Sequence, residues 1–204
     1  MQKILFLVLF ITILPVYVFA ETFDKSKCDF METDKNVIKK LEVQGIYQNN
    51  KTGVVCYSIN DIKFFEKDVM FPIKNGKVAG IVKIYFKGSG ALVSETPYKN
   101  GEKDGIEKGY YESGDLYTEI SYKNGIQEGI EKLYYESGAL HTEIPFKNDI
   151  KEGIGKSYME DGRLFSTVTY QNDKVISGKC ANGRKWTNAE INNWEKGLDV
   201  VCGR

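Results

Sequence analysis

Tyr98-Lys99-Asn100-Gly101 returns as Tyr122-Lys123-Asn124-Gly125, as Phe146-Lys147-Asn148-Asp149 and as Tyr170-Gln171-Asn172-Asp173, each time after 24 residues. The same step relates Gly105-Ile106-Glu107-Lys108 to Gly129-Ile130-Glu131-Lys132 and, more loosely, to Gly153-Ile154-Gly155-Lys156. It also relates Tyr110-Tyr111-Glu112-Ser113-Gly114 to Tyr134-Tyr135-Glu136-Ser137-Gly138. Upstream, Lys74-Asn75-Gly76 and the run from Gly80 to Leu92 form another copy with one extra residue near Gly88, and a worn copy starts at Tyr47-Gln48-Asn49 and carries Gly53. Segments kept in register at one period indicate small supersecondary units stacked along the chain, about five of them.

Within a unit, Ile106 to Tyr111 and Leu116 to Tyr122 are rich in aromatic and β-branched residues and are split by Glu112-Ser113-Gly114. That pattern predicts a β-hairpin whose three-residue loop ends on a left-handed residue, a place glycine fills without steric cost. Gly90, Gly138 and Gly162 fall at the same place in the other copies. The Asn-Gly pairs at 75, 100 and 124 predict the turn joining one hairpin to the next, and Asp149 and Asp173 replace glycine there with residues that still tolerate the left-handed region. The expected fold is all-β, an elongated single-layer array of antiparallel hairpins. Direct pairing outward from the loop puts Ile106, Tyr110, Leu116, Thr118, Ile120 and Tyr122 on one face, which should be the buried one. Glu107, Tyr111, Tyr117 and Glu119 then line the other, followed by Glu131, Tyr135, His141 and Glu143. A two-residue loop would exchange these partners and bring Tyr111 against Leu116.

These segments resemble the MORN repeat (membrane occupation and recognition nexus), in the variant form common in bacteria, over residues 47–176. The resemblance implies a repeat built for interaction or scaffolding and brings no catalytic set. Some proteins of this variant are labelled as antitoxins, which implies an alternative role as the partner of a toxin.

The ends are read differently. Lys3, the apolar run Ile4 to Val18 and Val18-Phe19-Ala20 make residues 1–20 an expected signal peptide, cleaved after Ala20. The apolar run is broken by Pro15 and is short for a membrane span, which needs about 20 residues, so no transmembrane anchor is expected in the mature chain. Residues 21–46 are expected to cap the array at the N-terminal end, with a short helical turn over 36–41. All four cysteines lie beyond the cleavage point. The repeats from 57 to 179 hold none, so Cys28 is expected to pair with Cys56 and Cys180 with Cys202. Residues 177–204 should form a disulfide-closed lid with a short helix, opened by Thr187 and Glu190 as a capping box and stopped by Gly197. Trp186, Ile191, Trp194 and Leu198 are its expected packing residues, with Ile191 placed to meet Trp186.

Charge excludes several functions. Without Lys3 the mature 184 residues keep 27 basic against 28 acidic side chains, so no overall field attracts nucleic acid or an anionic membrane. There is no phosphate loop, dinucleotide fingerprint or metal-ligand spacing, and no cofactor is expected. His141 is the only histidine, and its column holds Val93, Tyr117 and Phe165 in other copies, so no nucleophile and base can be assembled. The carboxylate pairs Glu107 with Glu119 and Glu131 with Glu143 could act on a glycan in principle, but active sites seldom repeat along an array. The expected function is non-enzymatic: an exported module of the periplasm, cell surface or medium that binds a protein, peptide or glycan. Its candidate ligand surface is the row Tyr111, Tyr117, Tyr135, His141 and Phe165, rings that give contact area at low entropic cost. The alternatives are the antitoxin-like partner and an envelope glycan-processing enzyme. Neither the partner nor the oligomeric state follows from the sequence.

Overall fold

The computed structural model describes residues 24–32, 52–59, 67–196 and 200–202. The expected signal peptide, the helical turn over 36–41, the start of the worn copy and the helix stop at Gly197 with Leu198 lie outside these residues. The described chain is one sheet of 16 strands with a single α-helix. The strands are β1 (Phe30–Met31), β2 (Gly53–Ile59), β3 (Lys67–Lys74), β4 (Lys77–Val78), β5 (Gly80–Phe86), β6 (Leu92–Lys99), β7 (Glu102–Lys103) and β8 (Gly105–Tyr110). They continue as β9 (Leu116–Lys123), β10 (Ile126–Gln127), β11 (Gly129–Tyr134), β12 (Leu140–Lys147), β13 (Ile150–Lys151), β14 (Gly153–Tyr158), β15 (Leu164–Gln171) and β16 (Lys174–Cys180), followed by α1 (Asn188–Glu195).

The long strands lie side by side almost in chain order, β1-β2-β3-β5-β6-β8-β9-β11-β12-β14-β15-β16, and every pair is antiparallel except β1 with β2. The two-residue strands β4, β7, β10 and β13 fold back on the ends of β3, β6, β9 and β12. The turns before them have both central residues at positive φ, Asn100 at 55° and Gly101 at 93°, and in the later copy Asn148 at 51° and Asp149 at 63°. This mirror-image turn suits the twist of the strands it joins. Aspartate gives something back for its steric cost, since the Asp149 and Asp173 carboxylates accept the backbone N–H of Gln127 (2.7 Å) and Lys151 (2.8 Å) in the preceding unit.

A glycine starts each long strand after the return. Gly105 sits at φ +127°, and a Cβ there would lie 2.7 Å from Pro97 Cγ, so both conformation and space demand glycine.

The hairpin loops after β8, β11 and β14 have the expected three residues: in the first of them Tyr111 N–H donates to Asp115 O and Gly114 N–H to Tyr111 O, both at 2.9 Å. The ladder beyond them departs from expectation. Tyr110 pairs with Leu116, but Gly109 pairs with Thr118, which leaves Tyr117 as an extra residue in a β-bulge. Below the bulge the partners are those of the two-residue loop, with Ile106 opposite Ser121 and Glu107 opposite Ile120. Because side chains alternate, one extra residue turns the rest of β9 over relative to β8.

The expected face therefore splits. Ile106, Tyr110 and Leu116 share one side with Lys108 and Glu119, whereas Thr118, Ile120 and Tyr122 share the other with Glu107. Ile130 and Ile144 are separated in the same way. Neither side is dry: of the six residues expected to be buried and their equivalents in the next copy (Ile130, Tyr134, Leu140, Thr142, Ile144 and Phe146), only Thr142 is, and Ile106 and Ile130 are 50% and 47% exposed. A single-layer sheet has nothing to bury a face against.

On the side of Ile106, Lys and Glu alternate from strand to strand: Lys83 opposes Glu95, which opposes Lys108, then Glu119, Lys132, Glu143 and Lys156. Opposite charges directly across a strand pair stabilise by about 0.2–1 kcal/mol each and fix register. Tyr110, Tyr134 and Tyr158 donate their hydroxyls to Glu95, Glu119 and Glu143 of the preceding unit at 2.7–2.8 Å. Desolvation, followed by the bonded and charged Glu119, pushes the Tyr134 hydroxyl up to about 12.

Apolar burial is confined to the ends. Val55, Val69, Phe71, Ile73, Val78 and Val82 form one cluster, and Cys56, Met70 and Tyr85 a second on the same end. Val168, Tyr170, Cys180, Trp186 and Val200 form the third, with Ile191 and Trp194 packed on it as expected. Both disulfides are formed as expected, Cys28 with Cys56 and Cys180 with Cys202. The Trp186 ring lies on the backbone of β16 at Gly178, where a Cβ would sit 2.1 Å from the indole. The capping box is present: Thr187 Oγ1 accepts from Glu190 N–H (3.3 Å), and Glu190 Oε2 accepts from Thr187 N–H (2.8 Å). Arg184 grips the same carboxylate through two nitrogens at 2.9 and 3.0 Å. Glu195 accepts the Val175 N–H and Gly178 O accepts the Trp186 N–H, so the lid occupies the open edge of β16.

Candidate functional site

The row expected from the sequence falls on the edge of the sheet that carries the hairpin loops. Tyr117, His141 and Phe165 are one kind of residue structurally: each is the extra residue of the bulge in its hairpin, and Val93 holds that place in the first. Tyr111 and Tyr135 are another kind, the residue that closes the three-residue loop on its N-terminal side. The bulge brings the two kinds together. Tyr111 and Tyr117 meet edge to face with ring centroids 5.0 Å apart, and Tyr135 and His141 are tilted at 4.4 Å.

The loop tyrosines also bind the array to itself. Tyr111 Oη donates to Tyr134 O at 2.6 Å, and Tyr135 Oη to Tyr158 O at 2.9 Å, each reaching into the next unit. These rings are therefore oriented before any ligand arrives. Desolvation, then Tyr117 and Glu136, raises the Tyr111 hydroxyl above its ordinary value, and desolvation with Glu160 does the same for Tyr135, so both donate as neutral phenols. Tyr117 and His141 are exposed, and Phe165 is half-buried.

The row has an end that sequence reasoning missed. In the last hairpin Met159 replaces the loop tyrosine, and Met159, Leu164 and Phe165 line a largely apolar open hollow beside Ala181 and the Cys180–Cys202 disulfide, with Arg163 and Asn182 at its polar side. The signal was available in the 24-residue step from Tyr135 to Met159, a loss of hydroxyl beside the only disulfide of that end.

The carboxylate pairs considered for acid-base work are broken up by the bulge. Glu107 lies on one side of the sheet, bonded to Lys103 and to Thr96 Oγ1 (3.1 Å), while Glu119 lies on the other beneath the Tyr134 hydroxyl. Glu131, which accepts from Gln127, and Glu143, which accepts from Tyr158, are divided likewise. Neither pair can flank a single glycosidic bond. Among the described residues no group of three His, Cys, Asp or Glu side chains could hold a metal ion, and no helix is long and apolar enough to cross a membrane.

Comparison with known proteins agrees with this architecture. A family model described as the MORN repeat variant matches residues 103–124 and 127–148, two adjacent units. No curated protein matches the sequence. Among solved structures, the chain is similar to a crystal structure of TarM at 11% identity and a TM-score of 0.28, covering 82% of this chain and 27% of that one. An S. aureus TarM mutant in complex with fondaparinux, α-GlcNAc-glycerol and UDP is similar at 10% identity, with the same coverage and score. The chain spans about a quarter of the length of these structures, and likeness at this level carries no functional argument. MORN repeats are in general binding repeats without enzymatic activity, and two adjacent units of this chain, residues 103–124 and 127–148, are MORN repeats of the variant type.

Proposed function

We propose that the chain is an exported, non-enzymatic binding module that holds an extended peptide or glycan of the cell envelope along its hairpin-loop edge. One observation carries the reading: the bulge sets a large side chain, Tyr117, His141 or Phe165, beside a second one from the loop at the same place in three successive hairpins. Two strands separate one pair of rings from the next, which is about 10 Å along the sheet, close to three residues of an extended or polyproline-type peptide. A ligand of that repeat meets a preformed ring pair at two successive units and Phe165 with Met159 at the third, and regular platforms give affinity by addition along its length. The two disulfides and the character of residues 1–20 support export.

Two measurements test it. Intact mass of the protein from its own host should begin at Glu21 with no free thiol; a full-length reduced chain points instead to a partner inside the cell. Screening against envelope peptides and glycans should give a ligand whose binding falls at least about tenfold in Tyr117→Ala with His141→Ala, at unchanged circular dichroism. Undiminished binding in that variant removes the loop edge from the function.

A further inference from the structure

We infer that the sheet face carrying Ile81, Ile106, Ile130 and Ile154 is the contact surface for a second copy of this chain, packed face to face. The four isoleucines stand at equivalent places in successive units and are 49%, 50%, 47% and 60% exposed. Together they leave roughly 400 Å² of aligned apolar surface uncovered, at the size where exposed patches on soluble proteins mark interaction sites. Among the described residues nothing covers this face between the two ends, and the other exposed row, on the loop edge, is a separate surface.

Charge selects the occupant. Beside the isoleucines runs the Lys/Glu row from Lys83 to Lys156, whose sign changes at every strand. A two-fold axis parallel to the strands, placed between Glu119 and Lys132, reverses the order of strands in the partner while keeping each row above its own counterpart. The row then meets itself one strand out of step: Glu119 faces Lys132 of the other copy, Lys108 faces Glu143, and Glu95 faces Lys156. The same operation sets Ile106 against Pro145 and Ile130 against Ser121, residues opposite in the sheet to Ile130 and Ile106, so large side chains fall over smaller ones. An alternating row matches only a surface of the same period, and a second copy supplies it; such an interface is isologous.

The area is sufficient. Nine long strands from β5 to β16 at about 4.8 Å spacing, each presenting about six residues, make a face about 40 Å by 20 Å, or about 800 Å² per copy, the size of a standard stable interface. Sheets stacked in this way lie about 10 Å apart, within reach of Lys and Glu side chains.

Sedimentation velocity on the purified, disulfide-bonded protein from about 1 to 200 µM should show a monomer–dimer equilibrium that weakens as salt is raised. Ile106→Lys and, separately, Ile130→Lys should each move the midpoint to at least tenfold higher concentration while leaving circular dichroism unchanged, since both positions are half exposed. Tyr117→Ala, on the loop edge, should leave the dimer intact. A monomer throughout that range overturns the inference, and so does a dimer indifferent to both isoleucine variants, which would have to use another surface.

Discussion

The middle of the array and its two ends are held together by different physics. From Thr96 to Ser157 the buried side chains, Thr96, Thr142 and Ser157, all bear hydroxyls, and no apolar side chain in that stretch is buried among the described residues. Its cohesion comes from the ladder, the strand-to-strand Lys/Glu row and the tyrosine hydroxyls that reach from one unit into its neighbour. At the ends, chain folds over the sheet, apolar clusters form, and a disulfide closes each. A single layer cannot make a core by itself, so hydrophobic stabilisation accumulates only where another element lies on it. The middle gains many small terms and each end a few large ones.

The sharpest break of that contrast is Trp186→Ala against Ile120→Ala. The first opens the lid cluster and should cost about 3–5 kcal/mol in chemical denaturation, the second, half-exposed, about 1 kcal/mol. Equal costs would mean the ends have no special standing. A smaller effect separates two middle positions that look alike in sequence. Gly105→Ala adds strain at positive φ to a clash with Pro97, and should cost about 2–3 kcal/mol; Gly129→Ala meets Ser121 only at 3.7 Å and should cost about 1 kcal/mol. The smallest test is acid titration of the lid by tryptophan fluorescence. The Arg184 side chain, then the Thr187 N–H, holds the Glu190 carboxyl down to about 2. A carboxylate with a lowered folded-state pKa stabilises above its ordinary range and loses that contribution as pH falls from about 4.5 to about 2. The Trp186 and Trp194 signal should change in that window, with the transition lost in Glu190→Gln.

Much of this molecule was readable before its structure. Period, loop length, the left-handed turns and the capping box each rest on local chemistry that a few adjacent residues specify, and both disulfides follow from the lack of cysteine between residues 56 and 180. The two faces were not readable, for a definite reason. The expected register sorts apolar Ile106 and Ile120 from charged Glu107 and Glu119, a rule that has force when one face must be dry. In a single layer neither face is, so Ile106 can stand in solvent beside Lys108, and the bulge at Tyr117 goes undetected by hydrophobic pattern. The short strands β7 and β10 escaped for a related reason, since two residues such as Glu102-Lys103 carry no periodicity. Of the candidate site, the residues were legible but their common origin as bulge and loop positions was not.

The bulge also governs how this molecule tolerates changes in length. Each unit goes out of step once and returns to step at the next turn, so an error in one copy is not passed on. The first hairpin already shows it: one more residue, near Gly88, lengthens the loop between Phe86 and Ala91, and Tyr85 still pairs with Leu92 as Tyr110 does with Leu116. Duplicating or deleting a 24-residue copy would lengthen or shorten the array by about 10 Å and leave both closed ends unaltered. The protein is a ruler with sealed tips, whose span can be reset by recombination in whole graduations without redesigning anything else.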